Sequence, residues 1–249
     1  MPGEPSLLLK LLTAHLAGDY LVQSARMATQ KHRAGLLGLH ALAHGALLAL
    51  VGWTEPASAR LWLTLLGVLV AHIAIDAWTV RMAPRNLRLL VLDQSLHLAS
   101  LLVAAFVAGP AQVADGLRVV VDGARQRDVW VMICGVLIAV PAGATVVGRW
   151  VQPFREALTD ESRERQQGLE QAGKWIGMLE RLLVFAAVLG HVESLIGFVI
   201  AAKAVLRLPE ARETHSRQLA EYYLVGSLAS LSWALLAAFA VRGLMAVGI

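Results

Sequence analysis

Apolar stretches long enough to cross a lipid bilayer recur along the whole chain. A membrane-spanning helix needs about 20 apolar residues, and such stretches lie near residues 6–23, 36–53, 61–80, 88–109, 129–150, 174–190, 192–208 and 220–242. Only 16% of the residues are charged, whereas a soluble domain is about a quarter charged. We therefore predict an all-α, polytopic transmembrane bundle of about eight helices.

Lysine and arginine are concentrated in every second loop between these stretches. The basic loops are 24–35, 81–88, 149–174 and 203–219. Because basic loops stay on the cytoplasmic side of a membrane, we expect these loops inside and both termini on the outer side. The pattern predicts a multi-pass membrane protein. The net charge of +4 then reflects topology, and no nucleic-acid partner is expected.

Paired histidine and aspartate residues interrupt the first four apolar stretches. Each stretch holds two of them four positions apart, which places both side chains on one helix face, about 6 Å apart along the axis. The pairs are His15 and Asp19, His40 and His44, His72 and Asp76, and Asp93 and His97. With alternating helix directions, the three carboxylates and His40 share one level near the cytoplasm. The other four histidines lie one turn deeper, so we expect a single two-layer site.

The cost of these residues in a membrane points to a metal. A charged aspartate at the membrane centre costs roughly 2.5–3.5 kcal/mol, and an interhelical hydrogen bond returns only about 0.6 kcal/mol. Structural zinc binding in small peptides releases about 10–16 kcal/mol, and imidazole with carboxylate suits zinc, manganese or iron. Three carboxylates and one hydroxide ion would balance two divalent cations. We predict that all eight residues hold one or two divalent ions, zinc before manganese or iron; a proton relay or a structural polar core is the alternative.

Other polar residues near the pairs are candidates for supporting roles. Where Asp19 or Asp93 is not fully used as a ligand, it is a candidate general base. Gln23 and Gln94 lie beside the predicted ligands and are candidates for orienting them. Candidates for binding a headgroup or phosphate at the cytoplasmic mouth are Lys31, Arg81 and Arg85. The concentration of positive charge on the inside explains these three equally well.

The polar residues also divide the chain into parts. The predicted parts are a four-helix unit with the His/Asp site (1–110), a fifth membrane helix with its flanks (111–151), a cytoplasmic amphipathic linker (152–173) and a C-terminal three-helix unit (174–249). In the last unit, Glu180 and Lys203 are placed to pair across two helices, and snorkelling toward the membrane surface is the equal alternative. Apart from this pair and Arg181, that unit shows little obvious chemistry.

Several stretches carry a family resemblance. Four contain the pairs: HLAGDYLVQSARMATQK (15–31), HALAH (40–44), HIAID (72–76) and DQSLHL (93–98). Three lie later: GKWIGMLERLLV (173–184), AAKAVLR (201–207) and AEYYLVGSLAS (220–230). Together they resemble a bacterial integral-membrane family known only as domain of unknown function 3307, which implies an inner-membrane protein without an established reaction. More loosely, the pairs resemble those of predicted membrane-bound metal-dependent hydrolases, and those at 15–19 and 72–76 resemble the sites of zinc exporters of the cation-diffusion-facilitator type.

Three functions fit this pattern. The first is a membrane-embedded, metal-dependent hydrolase that acts on a lipid or lipid-linked phosphate from the cytoplasmic side, because eight ligands exceed the needs of one ion. The second is a transporter of a divalent metal or of protons, which usually holds its site near the midplane and uses broken helices. We expect no broken helix here, so the enzyme is favoured. The third is a scaffold with a structural metal site.

Overall fold

The described part of the chain folds into helices. A computed structural model describes residues 7–82, 86–108, 125–158, 170–213 and 217–246, and these residues include no strand. The helices are α1 (Leu7–Ala17), α2 (Ala25–Gln30), α3 (Ala34–Trp53), α4 (Ala59–Thr79), α5 (Leu87–Ala108), α6 (Arg125–Leu137), α7 (Gly143–Trp150), α8 (Gln152–Glu156), α9 (Glu170–Leu189), α10 (Ser194–Glu213) and α11 (Arg217–Ala246).

Five helical segments are long and apolar enough to cross a membrane: Ala34–Trp53, Ala59–Thr79, Leu87–Ala108, Arg127–Trp150 and Gln218–Ala246. The predicted all-α membrane class is confirmed. The predicted number of eight spans is not confirmed, because α10 is apolar only over Ser194–Val205 and α1 has 11 residues, about 16 Å of helix. The orientation of the termini stays a prediction.

The chain forms two compact units. Unit 1 comprises Met1–Leu137 with Leu244–Ile249, and unit 2 comprises Ile138–Gly243. The four-part division predicted from the sequence stays a prediction, and residues 159–169 of the predicted linker lie outside the described residues.

Unit 1 exposes apolar side chains and buries polar ones. Leu42, Leu63 and Phe106 are 70%, 68% and 62% exposed, whereas His40 and Asp76 are 1% and 3% exposed. A protein in water would have the opposite distribution, because apolar surface in water costs about 25 cal/mol per Å². This distribution suits a lipid environment.

The interior of unit 1 is apolar at one end and polar at the other. At the apolar end, Leu7 and Leu11 of α1 pack with Leu48 of α3, Leu65 of α4 and Leu101 of α5. The His/Asp pairs occupy the other end, toward the turns that follow α1 and α4 and precede α3 and α5. These turns border the basic loops, so the polar end is the one that the charge pattern predicts to face the cytoplasm.

Two π-helical turns interrupt the helices. Gly18–Val22 continues α1, and Ile138–Ala142, which contains Pro141, joins α6 to α7. These turns widen the helices without unwinding them, so the expectation of no broken helix stays a prediction. Proline removes a backbone donor and crowds the preceding turn, and a wider turn relieves that crowding; Pro141 was the signal in the sequence. Such turns are frequent at functional sites, and the first one contains Asp19.

Unit 2 satisfies the carbonyl groups of its π-helical turn with side chains. Arg181 of α9 donates to the Val140 carbonyl oxygen from Nε and Nη2, at 3.3 and 3.1 Å. Trp233 of α11 donates from Nε1 to the Ile138 carbonyl oxygen at 2.9 Å. In a membrane, backbone groups freed by an interruption need such partners, because the lipid offers none.

Candidate metal centre

The polar end of unit 1 gathers the predicted pairs from four helices. The π-helical turn and α1 supply Asp19 and His15, and α3, α4 and α5 supply the others. Seven of the eight predicted ligands belong to three overlapping groups whose ligand atoms lie within 4.8 Å of one another: Asp19, His40, His44 and His72; His15, Asp19 and His97; His72, Asp76 and His97. All seven residues are buried. Their placement agrees with a single site, and their role as ligands stays a prediction.

The Asp19 carboxylate lies at the centre of this cluster. Its Oδ1 is 3.2 Å from Nε2 of both His40 and His44 and 3.8 Å from Nε2 of His72. Its Oδ2 is 3.6 Å from Nε2 of His15. Imidazoles of both predicted layers therefore converge on one carboxylate. The two layers merge because side chains one turn apart on neighbouring helices lean toward the same point.

His40 has more neighbours than one proton can serve. Its Nε2 is 3.1 Å from Nε2 of His72 and 3.2 Å from both Asp19 Oδ1 and Asp76 Oδ2. Its Nδ1 is buried without a hydrogen-bond partner. A ring nitrogen carries at most one hydrogen, so Nε2 cannot donate to all three. A cation among these atoms would be attracted to each of them.

His97 presents a free lone pair. Its Nδ1 lies 2.9 Å from the Asp93 carbonyl oxygen, which can only accept, so Nδ1 carries the hydrogen. In the neutral ring Nε2 is then an unprotonated acceptor, and it is buried without a partner. A histidine whose other nitrogen donates to a backbone carbonyl has the arrangement of a typical metal ligand.

The spacing of the donor atoms fits a small tetrahedral ion. With bonds of about 2.0–2.1 Å, a tetrahedral zinc holds neighbouring ligand atoms about 3.3–3.4 Å apart. Among Asp19 Oδ1 and the Nε2 atoms of His40, His44 and His72, four measured separations run from 3.1 to 3.8 Å. The residues present therefore fit a divalent metal.

Asp93 lies apart from the three groups. Its Oδ1 accepts a hydrogen bond from Thr79 Oγ1 at 2.7 Å, and its Oδ2 accepts one from Gln94 at 3.1 Å. Its side chain is 16% exposed. Asp93 is thus the most accessible of the three carboxylates. Thr79 was not among the predicted site residues. Its position three residues after Asp76, on the same helix face, was the available signal in the sequence.

Lys31 occupies a place that the sequence did not predict. We expected it at the cytoplasmic mouth, yet it is buried, and its Nζ lies 2.7 Å from Asp76 Oδ2. Three carboxylates and this ammonium group leave a formal charge of −2, which one divalent cation balances. The two-ion charge balance expected from the sequence omitted Lys31. Arg81, the second residue predicted at the mouth, is exposed, and Arg85 lies outside the described residues.

The two glutamines that were predicted to orient ligands differ in their contacts with the cluster. Gln94 donates from Nε2 to Asp19 Oδ2 at 3.1 Å, and its Oε1 lies 3.2 Å from His15 Nε2. Gln94 thus bridges a carboxylate and an imidazole of the cluster. The Oε1 of Gln23 is buried without a partner. The contacts of Gln94 agree with the predicted orienting role, and those of Gln23 give it no support.

Gly18 makes room for His44. A Cβ atom on Gly18 would lie 2.3 Å from Nε2 of His44, so any larger residue would displace the imidazole. The glycine therefore permits the close contact between this turn and the His44 side chain of α3. Beside the cluster, a cavity of about 10 Å³ borders His15, His44, His72 and His97. One water molecule needs about 10–15 Å³, so the buried end of the centre has room for one small species only.

The centre lies within a recognised family segment. Residues 7–118, which include all eight predicted ligands, match the family described as "Protein of unknown function (DUF3307)". No curated protein and no solved structure matches the chain. The looser likeness to hydrolases is not shown, and the resembling stretches after residue 118 lie outside the match. The N-terminal segment that carries the candidate metal centre is therefore similar to the DUF3307 family.

Proposed function

We propose that this membrane protein holds a divalent metal ion at Asp19, His40, His44 and His72. The observation that carries the proposal is the position of His40 Nε2, which has three neighbouring donor or acceptor atoms at 3.1–3.2 Å. A hydrogen-bond network alone leaves at least two of these contacts without a proton. One cation held by the four residues would account for the contacts of His40 with Asp19 and His72 and would offset the formal charge of −2.

Zinc is the ion that we propose first. Three imidazoles and one carboxylate form a borderline set that suits zinc, with manganese or iron as alternatives. Calcium and magnesium prefer oxygen ligands alone. Burial of the cluster also favours metal binding, because bulk water does not solvate the buried carboxylates.

Hydrolysis of a lipid or lipid-linked phosphate is the activity that we propose for the centre. Catalytic zinc sites typically have three protein ligands and one open position. In the hydrolase the ion would therefore be held by the alternative three-residue group of His15, Asp19 and His97, next to the small cavity, and not by the closed four-residue group. A bound ion supplies Lewis acidity and generates a nucleophile from water near neutral pH. Asp93, being hydrogen-bonded by Thr79 and partly exposed, is better placed than Asp19 to accept the proton. We place the substrate on the cytoplasmic side, in the bilayer.

Divalent-metal transport is the second candidate function. The four-residue group is supplied entirely by protein side chains, and it includes an aspartate on a π-helical turn. Closed four-ligand sites are typical of held or structural ions, and π-helical turns are frequent at functional sites. A structural metal site in a scaffold protein would also be a closed four-ligand site.

Metal content tests the premise shared by all three functions. We expect about one equivalent of metal in the purified protein and a loss of nearly all of it in His72→Ala. His32→Ala is the matched control, because His32 is an exposed histidine in the turn after α2. Metal-free wild-type protein, or equal metal in both variants, would refute the proposal.

Turnover then separates the functions. A hydrolase should release phosphate from lipid phosphates in detergent, and Asp93→Asn should slow this by about 100-fold or more, the usual contribution of general base catalysis. A transporter should instead move zinc into sealed proteoliposomes. A scaffold should do neither while still retaining its metal.

A further inference from the structure

Unit 2 contains a cavity that the metal centre does not use. It measures about 290 Å³ and lies between α9, α10 and α11. This volume is near the lower limit for small-molecule sites, about 300 Å³. The wall is largely apolar, and Leu224 and Leu228 at its rim are 60% and 56% exposed. Since α11 contains a candidate membrane span, the cavity opens on a surface that suits lipid.

Three ionisable groups line this apolar cavity. Lys203 Nζ and Glu180 Oε2 form an ion pair at 2.5 Å, which confirms the pairing expected from the sequence. Arg181 is 4% exposed, and its guanidinium donates to the Val140 carbonyl and, from Nη1, to Ser230 Oγ at 3.0 Å. Both acceptors are neutral. The cavity therefore has a formal charge of +1.

Among the residues that line this apolar cavity, the excess positive charge has no counter-ion. Ionisable residues within membrane helices are expensive, and they usually pair with each other or mark a binding site. Glu180 is the only carboxylate among the lining residues, and Lys203 already engages it. Arginine and lysine donors hold carboxylate and phosphate groups by charge-assisted hydrogen bonds.

The geometry points to a binding site for an acidic, single-chain lipid in this cavity. Its acyl chain lies against the apolar wall formed by residues such as Val184 and Leu231. Its carboxylate or phosphate lies near Arg181 and Lys203 and supplies the missing negative charge. The small volume favours a small ligand over a protein segment. This site is independent of the proposed metal chemistry.

Native mass spectrometry of the full-length, delipidated protein in detergent tests the site. The ligands are oleate and oleoyl lysophosphatidate, with oleoyl lysophosphatidylcholine as the same chain without net charge and inorganic phosphate as the anion without a chain. We expect one equivalent of either acidic lipid to bind about tenfold more tightly than the choline lipid, since a charge-assisted hydrogen bond contributes about that factor. Phosphate alone should not bind. Retention of only one acidic lipid would identify the head group.

Two variants address the two halves of the site. Lys203→Met removes one cation. It should weaken the binding of the acidic lipids about tenfold and leave the binding of the choline lipid unchanged. Ser227→Phe fills the cavity, because Ser227 lines it. The Ser227 hydroxyl donates only to the Tyr223 carbonyl of the same helix. We expect this variant to bind none of the lipids. Leu236→Phe on the exposed face of α11 is the control. Equal binding of acidic and choline lipids by the wild type, or unchanged binding in Ser227→Phe, would overturn the inference even if Lys203→Met failed to fold.

Discussion

The two units place ionisable groups in a membrane setting in opposite ways. Unit 1 gathers three carboxylates and one ammonium group, a formal charge of −2, around histidines that leave a cavity of only about 10 Å³. Unit 2 gathers two cations and one carboxylate, a formal charge of +1, around a cavity of about 290 Å³. The first arrangement suits a small cation held by many ligands, and the second suits an anion with an apolar tail.

This difference shows that charge and space must be considered together. A buried charge is tolerated only when it is paired, coordinated or provided with an external partner. Unit 1 surrounds its excess negative charge with close-packed donor atoms. Unit 2 has an open cavity beside its excess positive charge. The predictions below test whether the two sites differ in this way.

Gly18→Ala should have the largest effect. The added Cβ would lie 2.3 Å from His44 Nε2, so the imidazole must move out of the cluster. Loss of a direct ligand should exceed the 10–100-fold effect typical of outer partners, and we expect zinc affinity to fall by more than about 100-fold, measured by chelator competition. Gly35→Ala is the control, because a Cβ there meets no atom within 4 Å. Equal losses in both variants would show that helix stability, and not ligand position, is responsible.

Lys31→Met should change the number of bound ions. Removing the ammonium group leaves Asp76 without its partner and brings the formal charge of the cluster to −3. We expect the metal content to rise from about one equivalent toward two at saturating zinc. Lys10→Met is the matched control, because Lys10 is also a buried, ion-paired lysine, but its partner is Glu55 at the apolar end of unit 1. An unchanged stoichiometry in Lys31→Met would show that Lys31 does not limit metal binding.

Gln94→Ala should weaken metal binding by about 10–100-fold, the usual effect of losing an outer hydrogen-bond partner. Gln94 contacts both Asp19 and His15, so its removal frees two ligands to reorient. Gln23→Ala should leave the affinity unchanged in the same zinc competition measurement. A larger loss of zinc affinity in Gln23→Ala than in Gln94→Ala would contradict the orienting role of Gln94.

Trp233→Phe should destabilise unit 2 without altering the metal. The variant leaves the Ile138 carbonyl of the π-helical turn without its indole donor, which costs about 1 kcal/mol. Thermal unfolding should start at a slightly lower temperature, and zinc content should stay equal to that of the wild type. Trp53→Phe, at an 85% exposed position, should show neither change.

Glu193→Gln should have the smallest effect. The pKa of the exposed Glu193 carboxyl is lowered by a hydrogen bond from its own backbone amide and by Arg242, whose Nη1 lies 2.6 Å away. A lowered pKa in the folded state stabilises the fold at neutral pH, and this contribution is lost as the pH falls through the acidic range. The variant should therefore differ slightly from the wild type at pH 7 and match it near pH 3, as measured by thermal unfolding.

Much of the candidate site was predictable because helical spacing alone aligns its residues. The i, i+4 pairs in four consecutive apolar stretches required that each helix present two polar groups on one face, and seven of those eight residues meet in the structure. The separate position of Asp93 was not predictable. Its contact with Thr79 depends on the rotation of α4 against α5, which side-chain packing determines.

The sequence by itself determined the membrane class, the helical framework and the set of histidines and aspartates that face one another. These properties follow from hydropathy and periodicity, which are local. Only the tertiary structure decided that Lys31 neutralises Asp76, that Asp19 is the centre of the cluster and that Arg181 lines an open cavity. These contacts join residues far apart in the chain: Lys31 and Asp76 are 45 positions apart, and Arg181 and Val140 are 41 positions apart. Long side chains reach across helices in directions that depend on the packing of every neighbouring helix, so no local pattern encodes them.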